Sequence, residues 1–233
     1  MELSKRLQTV ANLLSEGLAI ADIGTDHGYI PIHLIKTKKS PRAIAMDVNK
    51  GPLLRAQNHI EEQGLQALIQ TRLSDGVQGL TLGEVDGVVI AGMGGALTVR
   101  ILEDGEAIFR ALKEFVLQPQ SEIWKVREYL CMHGYCIVDE DMVLEDGKFY
   151  PMMKVINGQA LAYNEIELRY GKCLLDKKHP VLQEFLETEL RKQEIVLENL
   201  ESRQGAHIDE RKVEIVAKRE EIKNALQRYH AGY

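Results

Sequence analysis

The 233-residue chain is poor in cysteine, has no long apolar run and carries no excess of positive charge. Its three cysteines, Cys131, Cys136 and Cys173, form an odd set without CxxC spacing. That argues against a disulfide framework and against a structural zinc site, and leaves buried or incidental thiols. No uninterrupted apolar stretch approaches the roughly 18–20 residues needed to span a bilayer. The N-terminus has charges within it and no small-residue cleavage site, so it does not read as a signal peptide. Leu3, Leu7, Val10 and Leu14 instead fall at helical spacing and predict an amphipathic helix. These absences predict a cytoplasmic chain with no membrane partner and no bound metal. The net charge is −6, from 29 Lys+Arg and 35 Asp+Glu. Residues 1–80 hold 9 basic and 8 acidic side chains, residues 81–160 hold 7 and 13, and residues 161–233 hold 13 and 14. A bulk electrostatic grip on nucleic acid is therefore not advertised, and a polyanionic partner would need a local basic face.

What the chain does have is a 45% hydrophobic fraction, enough for a core and incompatible with global disorder. Up to about residue 157, strand-like and helix-like segments alternate. Strand candidates are Leu18–Ile23, Ala43–Val48, Ala67–Leu73, Val85–Ala91 and a run around Phe115–Leu117. Helices are expected over Tyr29–Thr37, Pro52–Gln63, Ala96 to about Glu106, and Glu122–His133. Such βα alternation predicts a mainly parallel α/β sheet covered on both faces. The alternation ends differently: Cys136–Leu144 and Phe149–Ile156 flank Asp146-Gly147, a hairpin signal. A parallel sheet closing with an antiparallel hairpin is the outline of the Rossmann-like class I methyltransferase fold. From Pro180 on, glycine is confined to Gly205 and Gly232. Leu186, Leu190, Gln193, Leu197 and Leu200 step by fours and threes, while Ile208, Ile215, Ile222 and Tyr229 step by sevens. These spacings predict two long helices broken around Gly205 and paired as an antiparallel coiled coil, with Gln193 as a polar seam residue. The expected organisation is a catalytic domain over residues 1–158 and a coiled-coil domain over 159–233.

Chemistry concentrates at the strand ends. The run Ala21-Asp22-Ile23-Gly24-Thr25-Asp26-His27-Gly28-Tyr29 follows the first strand and opens the first crossover helix, where open α/β sheets bind ligands. Its GxxxG spacing is not the GxGxxG that seats a pyrophosphate on a helix N-terminus, and Asp26 would repel a diphosphate. An acid there suits a cation, and S-adenosylmethionine (SAM) carries an amine and a sulfonium but no phosphate. Asp47 ends the second strand, where a carboxylate can accept two ribose hydroxyls. Asp75-Gly76 ends the third strand, a usual place to hold an adenine amino group. The fourth strand ends in Ala91-Gly92-Met93-Gly94-Gly95, which leaves the backbone bare at the ligand edge for a flat substrate. There is neither a [DN]-P-P-[FYW] motif to polarise an exocyclic amine nor a Pro-Cys nucleophile for pyrimidine carbons. A ring nitrogen such as adenine N1 needs neither, since its lone pair is nucleophilic and bears no proton.

With these motifs in place, LAIADIGTDHGYIP, Ser74-Asp75-Gly76, AGMGG at Ala91–Gly95, VLQPQ at Val116–Gln120 and GKFYPMM at Gly147–Met153 together resemble the bacterial tRNA (adenine-22-N1)-methyltransferase family. The resemblance runs over essentially the whole chain. It implies transfer of a methyl group from SAM to N1 of an adenine in the tRNA D-arm. It also implies cofactor contacts at Asp22, Gly24, His27, Asp47, Asp75, Gly76, Ala91 and Gly92.

Substrate contacts are expected from Lys5, Arg6, His27 and Arg100, with Gln118 and Pro119 lining an adenine pocket and Tyr29 or Tyr150 stacking on the base. Asp26 and Tyr29 are the side chains placed to feel charge that develops on the base. The densest basic cluster, Lys36, Lys38, Lys39 and Arg42, lies at the opposite sheet edge and reads as helix C-terminal charge. Two other readings stay open from the residues alone: a SAM-dependent methyltransferase of a protein or small molecule, and a non-catalytic SAM- or RNA-binding scaffold.

Overall fold

The computed structural model describes residues 2–159, 162–201 and 206–230. The turn expected around Gly205, and Gly232, lie outside the described residues. The chain forms two compact units, Met1–Ala162 and Tyr163–Tyr233.

The first unit is built on a seven-stranded sheet ordered β3-β2-β1-β4-β5-β7-β6. Its strands are β1 (Ile20–Ile23), β2 (Ala43–Asp47), β3 (Ile69–Leu73), β4 (Gly87–Ala91), β5 (Glu114–Gln118), β6 (Tyr135–Glu145) and β7 (Lys148–Asn157). Strands β1 to β5 are parallel, and β7 runs antiparallel to both β5 and β6. This is the Rossmann-like class I arrangement expected from the sequence. The central strands are buried along nearly their full length, because helices cover both faces and both sides of each strand need apolar residues. Asp146 (φ +48°) and Gly147 (φ +72°) join β6 to β7. Two consecutive left-handed residues match the right-handed twist of the strands, which is why Asp-Gly marks a hairpin.

Helices α1 (Lys5–Leu13), α2 (Tyr29–Lys36), α3 (Lys50–Glu62), α4 (Gly95–Asp104), α5 (Glu106–Ala111) and α6 (Ile123–Met132) complete the unit. Val10, Ala11 and Leu14 from the α1 segment pack with Leu34, Val89, Val116 and Met152 on one side of the sheet. Ile32, Ile35, Ala45, Ile60 and Ile69 form a second cluster. The single helix expected to end near Glu106 stops at Asp104 and restarts, because Gly105 lies tight against Val77: a Cβ there would stand 2.1 Å from Val77 Cγ2. Glu145, at the end of β6, holds the start of α1. Its carboxylate accepts the Lys5 amide at 2.5 Å and the Arg6 amide at 3.4 Å.

The second unit contains α7 (Glu165–Tyr170), α8 (Lys172–Asp176), α9 (Pro180–Glu201) and α10 (Ala206–His230). The two long helices are antiparallel. Tyr229 near the end of α10 donates to the His179 carbonyl just before α9 (3.1 Å), and Lys218 faces Glu189 at 3.6 Å. Leu182, Leu186, Ile215, Ile222 and Ala225 are buried, and Gln193 is half-buried along the expected seam. No described helix is long and apolar enough to cross a membrane.

Candidate active site

The carboxyl ends of β1 to β5 open onto two adjoining cavities of about 340 and 310 Å³. Gly24, Ala91 and Gly92 border both, so the cavities meet along the glycine-rich ends of β1 and β4. Asp22, Asp26, His27, Tyr29 and Arg6 face the first. Asp47, Asp75, Gly76 and Arg100 face the second.

Local sequence explains this shape. After β1 the chain turns through Gly24 (φ +73°), Asp26 (φ +50°) and Gly28 (φ +72°) before entering α2. The amides of Gly24 and Thr25 both donate to the Met46 carbonyl, at 2.8 and 2.9 Å, which fastens the turn to β2. A Cβ on Gly24 would sit 2.3 Å from the Met93 methyl carbon. The left-handed φ is what favours glycine here, and the missing Cβ leaves the Met93 methyl room to lie against the loop.

Each acid has a distinct environment. Asp22 is 4% exposed and accepts a hydrogen bond from the Thr25 hydroxyl at 2.7 Å. Burial pushes its carboxyl up to about 6, against the Thr25 bond, and the nearby Asp47 charge adds to the rise. Asp47 is oriented by the Asn49 amide, which donates to Oδ1 at 2.8 Å. Asp75 is half-exposed and pairs with Arg100 at 3.3 Å. Asp26 bonds Arg55 of α3 and lies 3.5 Å from His27 Nε2.

All eight residues expected to contact the cofactor line one or both cavities. The expected substrate residues divide. Arg6 lines the first cavity, donates to Gln118 Oε1 at 2.8 Å and lies 5.6 Å over the Tyr150 ring. Lys5 is exposed at the start of α1 and lines neither cavity. Arg100 faces the second cavity through its pair with Asp75, not the first. Gln118 and Pro119 are buried behind the cleft, because Gln118 is consumed in holding Arg6; Gln120 takes the lining position. Gln120 stands in the VLQPQ run, but a two-residue alternation puts 118 and 120 on the same side and does not choose between them. Val48 and Leu97, which line the second cavity, were also not singled out by sequence, and Met93 beside them was named only within the Ala91–Gly95 run. The cluster at the opposite edge is engaged locally: Lys36 bonds Gln63, Lys39 the Asn12 carbonyl, and Arg42 the Glu84 carbonyl.

The donor set suits SAM. Carboxylates at Asp47 and Asp75 present acceptors for hydroxyl and amino groups, the buried Asp22 suits a cationic end, and the bare backbone around Gly24 and Gly92 admits a close ligand. Among the described residues no cluster of three or more metal-ligating side chains occurs.

Residues 3–153 match a methyltransferase-domain family. The chain is 34% identical over 227 residues to the tRNA (adenine(22)-N(1))-methyltransferase of Bacillus subtilis strain 168, covering 95% of each. A Streptococcus pneumoniae protein solved in complex with S-adenosyl-L-methionine superposes with a TM-score of 0.86 at 34% identity, over 97% of this chain and 100% of that one. TrmK of M. capricolum, solved with S-adenosyl-homocysteine, superposes with a TM-score of 0.84 at 28% identity, over 98% and 99%.

Proposed function

Because the chain belongs to the tRNA (adenine(22)-N(1))-methyltransferase family, we infer that it transfers the methyl group of SAM to N1 of adenine 22 in the D-arm of tRNA. The observation that carries this reading is the pair of joined cavities, one bordered by the strand-end acids Asp47 and Asp75, the other by Asp22, Arg6 and the His27–Tyr29 loop. Bound SAM supplies an electrophilic methyl group on a sulfonium.

The work left to the protein is positional and electrostatic. In this reading Asp47 holds the ribose hydroxyls, Asp75 and Gly76 the adenine edge, and Asp22 with Gly24 the amino-acid end. The target base enters the first cavity beside the bare Ala91–Gly92 backbone, against Tyr29. Adenine N1 carries no proton, so no side chain has to remove one; the product ring is cationic and is served by backbone carbonyls and an aromatic face. Asp26 is less available for that charge than its sequence position implied, since Arg55 already compensates it. Arg6, steadied by Gln118, is the cation placed to meet the phosphate of the entering nucleotide. The paired helices α9 and α10 serve as a second hold on the RNA.

The test is methylation of an unmodified tRNA transcript with labelled SAM, followed by nuclease digestion and mass spectrometry. N1-methyladenosine at position 22, absent from a transcript with guanine there, is expected. A methyl group on the exocyclic amine or on a pyrimidine carbon overturns the reading.

A further inference from the structure

The ring of His27 is held in an unusual way. Its Nδ1 is buried and makes no hydrogen bond, and its Nε2 comes only within 3.5 Å of Asp26. Its orientation therefore rests on its ring neighbours, and there are two. Tyr29 lies 5.0 Å away at 13°, and His59 of α3 lies 5.4 Å away at 19°. Tyr29 and His59 also face each other, at 5.6 Å and 15°, so the three rings form one closed, nearly parallel cluster, of which His27 and Tyr29 line the first cavity.

His59 does more than stack. Its Nδ1 stands 3.0 Å from the His27 carbonyl. A carbonyl can only accept, so Nδ1 carries the proton and donates. The same face of α3 makes two further contacts with the loop. Arg55 bonds Asp26, and Ala56 packs under Gly28, where a Cβ would come within 3.3 Å of the Ala56 methyl. Asp26, the non-glycine residue of this loop with positive φ, is itself one of these attachments. A short loop held in the left-handed region persists only where its surroundings over-determine it.

We propose that His59 is a positioning residue for methyl transfer: by donating to the His27 carbonyl and stacking on His27 and Tyr29, it holds the Asp26–Tyr29 loop in the shape that receives the target base. This rests on the reading that the first cavity takes that base. Asp47 and Asp75, which hold the ribose and adenine of the cofactor in this reading, stand at the ends of β2 and β3 and not on this loop. A shifted loop therefore costs the reactive geometry more than it costs cofactor affinity, and small misplacements at the reacting centre are costly in rate.

The experiment compares His59→Ala, His59→Asn and His59→Phe in the full-length protein. An asparagine places its amide nitrogen where Nδ1 stands and keeps the donor without the ring; phenylalanine keeps the ring without the donor. Single-turnover methylation of tRNA at saturating SAM is expected to fall by about tenfold in His59→Ala and to return to within about threefold of wild type in His59→Asn. His59→Phe is expected to fall between them, and the Kd for SAM to change by less than the rate does in each variant. Wild-type turnover in His59→Ala, equal defects in the Ala and Asn variants, or a loss of SAM affinity as large as the loss of rate would each overturn the proposal. A second readout is independent of the substrate. The His27 ring resonances in proton–carbon NMR spectra should move in His59→Ala while methyl resonances of the sheet core stay in place; unmoved His27 resonances overturn the proposal. A wild-type protein that methylates no tRNA would count against the functional reading alone, and the NMR comparison would still decide the role of His59.

Discussion

Arg6 and Gln118 are 112 residues apart in sequence and 2.8 Å apart in space: the Arg6 guanidinium donates to the amide oxygen of a side chain that is itself wholly buried at the end of β5. Burying an amide side chain is unfavourable unless its polar atoms are used. Gln118 uses its oxygen on Arg6 and its nitrogen on the Pro119 carbonyl at 3.3 Å. The first helix is thereby registered against the sheet, together with the Glu145 carboxylate on its opening amides, and an arginine is steadied at the mouth of the first cavity.

Arg6→Ala should accordingly weaken tRNA use without weakening SAM. A lost charge-assisted hydrogen bond costs roughly 1.5–3 kcal/mol, about ten- to a hundredfold in kcat/KM for tRNA. Gln118→Leu should show a smaller defect of the same kind, because the arginine remains but loses its support. Steady-state kinetics with tRNA varied, alongside calorimetric SAM titration, separates the two effects. Equal loss in both measurements would remove Arg6 from the substrate side.

Asp22 supplies a pH signature. Its folded-state carboxyl, at about 6, lies above the ordinary 3.8. A raised folded pKa gives stability that is fully present below about pH 4 and is lost as pH rises through about 6. Asp22→Asn removes that loss, so the ligand-free variant should melt higher than wild type at pH 7, by up to ~3 kcal/mol of stability. The gap should close at pH 4. A cationic ligand prefers the ionised acid, so wild-type SAM affinity should weaken as pH falls below about 6, and the variant should bind weakly at every pH. Calorimetric titrations from pH 5 to 8 and thermal melts at pH 4 and 7 check both.

Much of this was legible in the chain because strand ends are where ligands meet an open α/β sheet. Once Asp22, Asp47 and Asp75 were placed at the ends of three successive parallel strands, their convergence followed from topology. Asp146-Gly147 was legible because left-handed turns need those residue types. Helices α7 and α8 were not, since six and five residues are too short to show a period. A local signal existed there in Asn164 and Glu167, which form a reciprocal capping box. Gln120, the Arg100–Asp75 pair and His59 were beyond reach for a different reason. Each depends on which side chain of one element meets another across the cleft, and spacing within an element does not encode that.

Away from the cleft, the pair Arg127–Glu140 joins α6 to β6 at 2.8 Å with exposures of 1% and 0%. A buried pair of this kind is costly to break from one side, because the remaining charge is stranded. Glu140→Gln should destabilise the protein by about 3–5 kcal/mol. An Arg127→Met, Glu140→Leu double variant should be less damaging than either single charge removal, since neither member of the pair leaves the other's charge stranded. Denaturant melts of the single and double variants decide it; additive losses would show that the pair matters through packing alone.

The last expectation concerns the chemistry itself. If the nucleophile is a neutral ring nitrogen, the methyl-transfer step at saturating SAM and tRNA should slow only in acid, where adenine N1 is protonated. It should be flat through neutrality, since no general base has to be unmasked. The rise of Asp22 to about 6 then appears in kcat/KM for SAM and not in the saturated single-turnover rate, which keeps the two titrations apart. Asp26 tests how the cationic product is accommodated. Its carboxylate neutralises Arg55 at the wall of the first cavity. In Asp26→Asn the uncompensated Arg55 places a positive charge beside a base that is becoming positive. Turnover should fall by roughly three- to tenfold, the modest size expected of a half-exposed charge, and adding Arg55→Gln should restore most of it. Raising the salt concentration should shrink the defect for the same reason. A rate that rises steeply between pH 6 and 8 and is levelled by a single substitution would reveal a base that this geometry does not show. A defect in Asp26→Asn that Arg55→Gln deepens would place Asp26 in direct contact with the substrate.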